Sequence, residues 1–265
     1  MGFSLESIFF KDFWKRLLQL SRDDNTGMGT SVSVIRSGDG EKSALAISDD
    51  AVFIRPVNDD STSAFTVRAA SGNVILVTDT SNGLVKVNTS QVYATTQYAY
   101  FGIGSTEGNS MLANNHYMIP FNKGTIQTVA DLTMGTGTDP NTTLTITGTA
   151  DGVTTALWYV PDAITIDAVH WFHGADAATG DVARAHLMSF AIDTGNSATS
   201  GDLSDGTVLA DGADITNAGY EQVYYQSMTI QSANVAAGSV VAFTFRTDSV
   251  NSDFSINAVC KYHVQ

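Results

Sequence analysis

Apolar residues recur along this chain with two different periods. Over residues 1–22 the period is helical. Phe9, Phe10, Phe13, Trp14, Leu17 and Leu20 fall within an arc of about 140° at roughly 100° per residue, and Lys11, Asp12, Lys15, Arg16, Gln19 and Arg22 take the other side. This spacing predicts an amphipathic helix from Ser4, a candidate N-cap, to Arg22. Phe10, Phe13, Leu17 and Leu20 also have the 3-4-3 spacing of a self-associating seam. The polar stretch RDDNTGMGTS then reads as a tether. Residues 1–29 are therefore expected to form a helix and linker that anchor the chain to a larger structure. A helix packed on the chain's own core and a helix lying on a membrane surface are the competing readings.

From residue 30 onward the pattern is that of strands. Apolar clusters at 32–34, 44–47, 52–54, 65–67, 74–77 and 84–87 are separated by Gly, Asn, Asp and Ser. Within SAFTVRAASGNVILVTDTSNGLVKVN, residues 63–88, Gly72-Asn73 and Asn82-Gly83 mark tight turns between three short strands. Strands this short carry too little apolar surface for an independent monomer. Residues 30–122 are accordingly expected to form an intertwined homotrimeric β-stalk with a Tyr-rich transition at 91–121. Phe65, Val67, Val74, Leu76, Val85 and Val87 would supply the shared interior. The alternative is a small sandwich closed within one chain.

Residues 123–265 suit one domain. Strands are expected at 128–134, 142–147, 155–160, 163–172, 182–192, 220–230, 239–246 and 253–264. The last alternates cleanly: Phe254, Ile256, Ala258, Cys260, Tyr262 and Val264 share a face opposite Ser255, Asn257, Lys261 and His263. About eight strands in this length point to a jelly-roll-like β-sandwich, with a long polar loop over 193–206. The fold class is thus mainly β: an N-terminal amphipathic helix, a short trimeric stalk and a C-terminal sandwich.

Composition sharpens this picture. Of 265 residues, 15% are charged and the net charge is −14, which disfavours nucleic acid as a partner because phosphate contacts need Lys and Arg. Residues 1–22 carry four basic and two acidic groups, a net of +2, so the remainder sums to −16. The N-terminus is therefore a module with its own partner. One cysteine, Cys260, excludes an intrachain disulfide and points to synthesis in a reducing compartment. The N-terminal stretch lacks a signal-peptide pattern, and no segment has the roughly 18 uncharged apolar residues of a membrane span, so no membrane insertion is expected.

The 63–88 stretch resembles the strand–turn unit of tailed-bacteriophage fibre and spike proteins, in which a short strand, Gly-Asn, an apolar run, Asp-Thr and a valine pair recur beside the head domain. The resemblance covers about 30 to 50 residues. It implies a homotrimer in the virion, with an N-terminal segment attached to other virion proteins, here through residues 1–22, and a distal C-terminal domain. That domain would bind a host-surface glycan or serve as a stabilising knob. A head fibre or capsid decoration protein fits the same order of modules.

Candidate chemistry is sparse. His170 and His173, with His186 and Asp176, are the most metal-like group, but i and i+3 on a strand face opposite ways, so no metal site is expected. Asp193, Asn196, Asp202, Asp205, Asp211 and Asp214 offer hard oxygens for calcium without EF-hand spacing, and read as solvated turns. Gly102-x-Gly104 lacks the rest of a phosphate loop. Neither GxSxG nor HExxH occurs, and Cys260 reads as a core thiol, so neither enzymatic activity nor a cofactor is expected. Trp158, Tyr159, Trp171, Tyr220, Tyr224 and Tyr225 are candidates for stacking on sugar or protein, and alternation assigns about half of them to the core. The rival functions are a cellular carbohydrate-binding module and a small glycan-cleaving enzyme.

Overall fold

The computed structural model describes residues 18–20, 29–37, 40–88, 92–106, 111–122, 133–144, 153–175, 180–192, 203–218, 222–249 and 253–265. Secondary structure is almost entirely β, and the chain divides into two units, Met1–Ala94 and Thr95–Gln265. Among the described residues no helix is long and apolar enough to cross a membrane.

The first unit holds two four-stranded antiparallel sheets in simple up-and-down order. One contains β1 (Leu18–Leu20), β2 (Ser33–Ser37), β3 (Lys42–Ile47) and β4 (Val52–Ile54). The other contains β5 (Phe65–Arg68), β6 (Val74–Asp79), β7 (Leu84–Val87) and β8 (Val92–Tyr93). The two expected turns are present. Gly72 at φ 86° and Gly83 at φ 68° close the β5–β6 and β6–β7 hairpins in a backbone region that glycine enters without strain. Asp79 braces the second hairpin, accepting from the Asn82 backbone at 3.1 Å and from Lys86 Nζ at 2.9 Å. Lys86 and Asn82 together hold its carboxyl below the usual carboxylate range.

One expectation is corrected at the N-terminus. Leu18–Leu20 is a strand, paired antiparallel with β2 through Leu18↔Ser37, Gln19↔Arg36 and Leu20↔Ile35, and not the last turn of a helix. Leu-Gln-Leu satisfies period two as well as a helical stripe, and an adjacent sheet edge supplies partners for its backbone groups. The rest of the expected helix, with Phe9, Phe10, Phe13, Trp14 and Leu17, lies outside the described residues.

The second unit contains β9 (Thr96–Ile103), β10 (His116–Ile119), β11 (Leu157–Val160), β12 (Ile164–Ala175), β13 (Val182–Ile192), β14 (Leu203–Asp211), β15 (Ile215–Thr216), β16 (Val223–Ser227), β17 (Thr229–Ile230), β18 (Asn234–Val235), β19 (Ser239–Thr247) and β20 (Phe254–Val264). One sheet runs β16-β12-β20-β9 and the other β10-β19-β13-β14. Taking these eight main strands in chain order, the first sheet is first-eighth-third-sixth and the second is second-seventh-fourth-fifth. That interleaving, with every pairing antiparallel, is the jelly roll. The boundary between units falls at 94/95 rather than at 122/123. The Tyr-rich segment is not a transition: β9 pairs with β20 along eight residues and sends Ala99, Phe101 and Ile103 into the core.

The two inner faces meet in a core built around Phe101, Trp171, Phe243, Phe245, Phe254 and Ile256, all 0% exposed. The second sheet is unusual in being covered on its outer face too. There Met118, Met188, Phe190, Val240 and Ala242 lie under Met134, Leu144, Val153 and Ala156. This double coverage explains the nearly continuous burial along β19, which carries SVVAFTFRT. Gly206 is where the covering segment comes closest: a Cβ there would lie 2.7 Å from Thr142 Cα, and its N–H donates to the Thr142 carbonyl at 2.8 Å.

Candidate functional site: an uncovered apolar face and a buried charged cluster

Three features of the surface and near-surface qualify. The first lies in the β5–β8 sheet. Its register places Val67, Leu76, Val87 and Val92 in one cross-strand row, and Phe65, Thr78 and Val85 in the next. The register shifts between Val67 and Arg68, and Val74 lies opposite Arg68 beyond that bulge. Of the six residues expected to line the stalk interior, Phe65, Val67, Leu76, Val85 and Val87 thus occupy one face of one sheet, and Val74 lies past the bulge. None of the six is buried within the single chain, and Phe65, Val67 and Val85 are 38%, 38% and 42% exposed. The β1–β4 sheet is likewise open, with Val52, Phe53 and Ile54 exposed and a hollow of about 340 Å³ lined by Val34, Ala46, Phe53 and Val57 beside Lys42 and Arg55.

The second feature is an aromatic band on the outer face of the β16-β12-β20-β9 sheet. Phe172 and Tyr225 are direct cross-strand neighbours, and Tyr98 and Tyr100 project from β9. All four are exposed. The Tyr225 hydroxyl and His170 Nδ1 are hydrogen-bonded at 2.8 Å. Of the aromatics singled out from the sequence, Trp158 and Trp171 are buried, Tyr159 and Tyr225 are exposed, and the Tyr224 hydroxyl accepts from the Ala218 backbone at 2.6 Å. Tyr220 lies outside the described residues.

The third is a charged cluster at one end of the covered face of the second sheet. Register sets it up: His116 pairs with Arg246, Arg246 with Arg184, and His186 with both Thr244 and Asp211. His186 Nε2 lies 3.0 Å from Asp211 Oδ1 and 3.2 Å from Asp139 Oδ1. Arg184 grips Asp211 at 2.9 Å and Asp214 at 3.2 Å. The His116 ring stands edge-on to His186 at 5.1 Å, and its Nε2 is 3.0 Å from the Gly137 carbonyl. Burial, with His116 and Arg184 adding, lowers His186 to about 4.

The structure separates the histidines that the sequence grouped. His170 faces outward on β12 and His173 faces inward, as their spacing requires. His173 is buried between Trp171 and Tyr224, with ring centroids 4.8 and 5.3 Å away, and its Nε2 is 2.9 Å from Asn217 Oδ1. Of these histidines, His186 alone joins a carboxylate cluster among the described residues. Asp176, Asp193, Asn196 and Asp202 lie outside the described residues. Asp205 and Asp211 belong to β14 rather than to a loop. Cys260 is buried, and burial pushes its thiol well above the usual range, in keeping with a core thiol.

His173 carries a prediction. Burial lowers its pKa below the ordinary 6.5. The unfolded chain therefore binds the proton more readily, so stability is present above about pH 6.5 and is lost as pH falls below it. Urea midpoints are expected to drop between pH 7 and pH 5, and His173→Gln, which hydrogen-bonds but does not titrate, is expected to flatten part of the drop. A wild-type midpoint unchanged over that interval would contradict this. Compared with known proteins, the sequence matches no family model and no curated protein.

Proposed function

We propose that this chain is a structural subunit of a virion: a short homotrimeric fibre or spike of the tailed-bacteriophage type. Residues 1–22 attach it to other virion proteins, the region up to Ala94 associates with two identical copies, and the jelly roll is the distal domain presented to the host surface. The mechanism is adhesion rather than chemistry.

The observation that carries the reading is the apolar face of the β5–β8 sheet. Valines, a leucine and a phenylalanine from three strands share that face, and the chain alone leaves it open. Contiguous exposed apolar surface of this kind marks an interaction site. Threefold association supplies a cover for every copy at once and closes the interface by symmetry. Two further features agree. Jelly rolls serve in viral capsid and lectin domains, an analogy at the level of fold alone. Charge is also divided: residues 1–94 carry nine basic and eleven acidic groups, a net of −2, and residues 95–265 carry four and sixteen, a net of −12. A strongly acidic distal domain stays soluble and resists sticking to its own copies away from the stalk.

The attachment role is tested by Phe13→Asp with Leu17→Asp. Incorporation into particles is expected to be lost while the trimer persists, as read by particle composition and by the mass of the purified variant. Incorporation at the wild-type level would refute the anchor. Imaging of labelled protein on intact particles then separates a tail position from a head fibre or capsid decoration.

A further inference from the structure

We propose that Asp139, His186 and Asp211 form a binding site for one divalent cation of the zinc class, which clamps the segment 133–144 to the jelly roll.

The three residues come from separate places. His186 and Asp211 are direct partners on β13 and β14, and Asp139 lies on the segment crossing above them. Their ligand atoms converge: Nε2 is 3.0 Å from one carboxylate oxygen and 3.2 Å from the other, and all three atoms lie within 4.8 Å of one another. An ion held at about 2.0–2.2 Å from each ligand separates those ligands by roughly 3.0–3.5 Å. The two distances from Nε2 are those that a shared ion requires, and the third pair lies within reach of the same ion.

Hydrogen bonding alone satisfies this arrangement poorly. Whatever its protonation state, Nε2 bears at most one hydrogen, and here two carboxylate oxygens face it. Arg184 approaches the same nitrogen with its Nε at 3.5 Å, while its terminal nitrogen fixes Asp211 at 2.9 Å. Charge gives the same answer. Arg184 pairs with Asp211 and Asp214, Asp139 faces His186, and Arg246 turns to the Asn114 side chain at 2.7 Å. A divalent ion offsets that excess of negative charge. An independent sign is the Thr244 hydroxyl. It is fully buried on the strand position directly opposite His186 and has no hydrogen-bond partner in the described structure.

The donor set selects the ion. One imidazole with two carboxylates suits zinc and its borderline neighbours. Calcium takes six to eight oxygens and magnesium keeps most of its waters, so neither is matched by an imidazole here. Asp139 is 59% exposed at its side chain, which leaves a path from solvent and positions for water. The consequence is mechanical. The segment is otherwise fastened by backbone bonds to His116, Leu203 and Gly206 and by the Gly137 carbonyl on the His116 ring. An ion on Asp139 adds a side-chain fastening between these, on the same face of the sheet.

The test uses the full chain, stripped with a chelator and titrated with zinc alone, followed by calorimetry and by thermal unfolding. The expected results are one zinc per chain, a raised unfolding temperature that a chelator reverses, and no such rise with calcium. Asp139→Asn, at an exposed position, is expected to fold with the chelated wild type's unfolding temperature and to bind zinc about tenfold or more weaker. Cobalt substituted for zinc is expected to give a visible spectrum that Asp139→Asn alters. Absence of zinc binding by the wild type overturns the proposal. So does binding that Asp139→Asn leaves unchanged, which would place the ion on other histidines or acidic residues.

Discussion

Replacing Leu76 and Val87 together by aspartate is expected to turn the proposed trimer into monomers without unfolding the C-terminal unit. These residues are direct partners at one end of the β6–β7 pairing, in the row that runs through Val67 and Val92, on the face that Phe65 and Val85 also share. In a lone chain both positions are half-buried, so a carboxylate there keeps contact with water. In the proposed trimer the same face would be covered, and the substitution would place six carboxylates per trimer at the shared interior. Each uncompensated buried charge costs several kcal/mol, and like charges brought together add to it. The sum exceeds what an interface of three short strands per chain supplies. Sedimentation of the purified variant at micromolar concentration reads the outcome directly. A variant that still sediments as a trimer would show that this face is not the shared one. Ile75→Asp, on the opposite face of the same strand and 52% exposed, is the control expected to leave association unchanged.

Trp171→Ala is expected to destabilise the C-terminal unit by about 3–5 kcal/mol. The indole is 0% exposed and meets Phe243 and Phe245 across the sandwich, at 6.4 and 6.1 Å between ring centroids. Its Nε1 donates to the Gln226 side chain at 3.2 Å, so truncation also strands an acceptor. The cavity falls where both sheets contribute, and neither relaxes freely into it. Urea unfolding followed by circular dichroism checks the loss. A midpoint within about 0.5 kcal/mol of wild type would mean that the two inner faces are not packed as described. The stalk is a separate unit, so its association is expected to survive this change.

How far the sequence foretold this fold depended on whether period two survived unbroken. Val182–Ile192 and the strand ending at Val264 were legible because each carries a long run with one apolar face. The eight-strand estimate led to a jelly roll, yet three of its strands were hidden. β14 opens with Leu203-Ser-Asp-Gly-Thr, whose polar residues read as loop, and its pairing with β13 shifts register twice, which destroys a simple alternation. β9 and β10 were masked by tyrosines and glycines that belong equally to turns. The shared face of the β5–β8 sheet was legible at Phe65, Val67, Leu76, Val85 and Val87, because hairpins fix register through their turns and Gly72 and Gly83 declare those turns. The charged cluster was not. His186 was visible as a candidate ligand, but its partners Asp139 and Asp211 are 47 and 25 residues away and meet it only through register between strands and through the path of the covering segment. No local pattern encodes either. Leu18–Leu20 shows the opposite failure, since three alternating residues fit a helix and a strand alike and a neighbouring sheet edge decided between them.

The proposed association through the β5–β8 sheet is tested most directly by the mass of the full chain in solution. Light scattering coupled to size exclusion, at micromolar concentration, is expected to give three times the 28.1 kDa of one chain. A stable 28.1 kDa species across that range would contradict it.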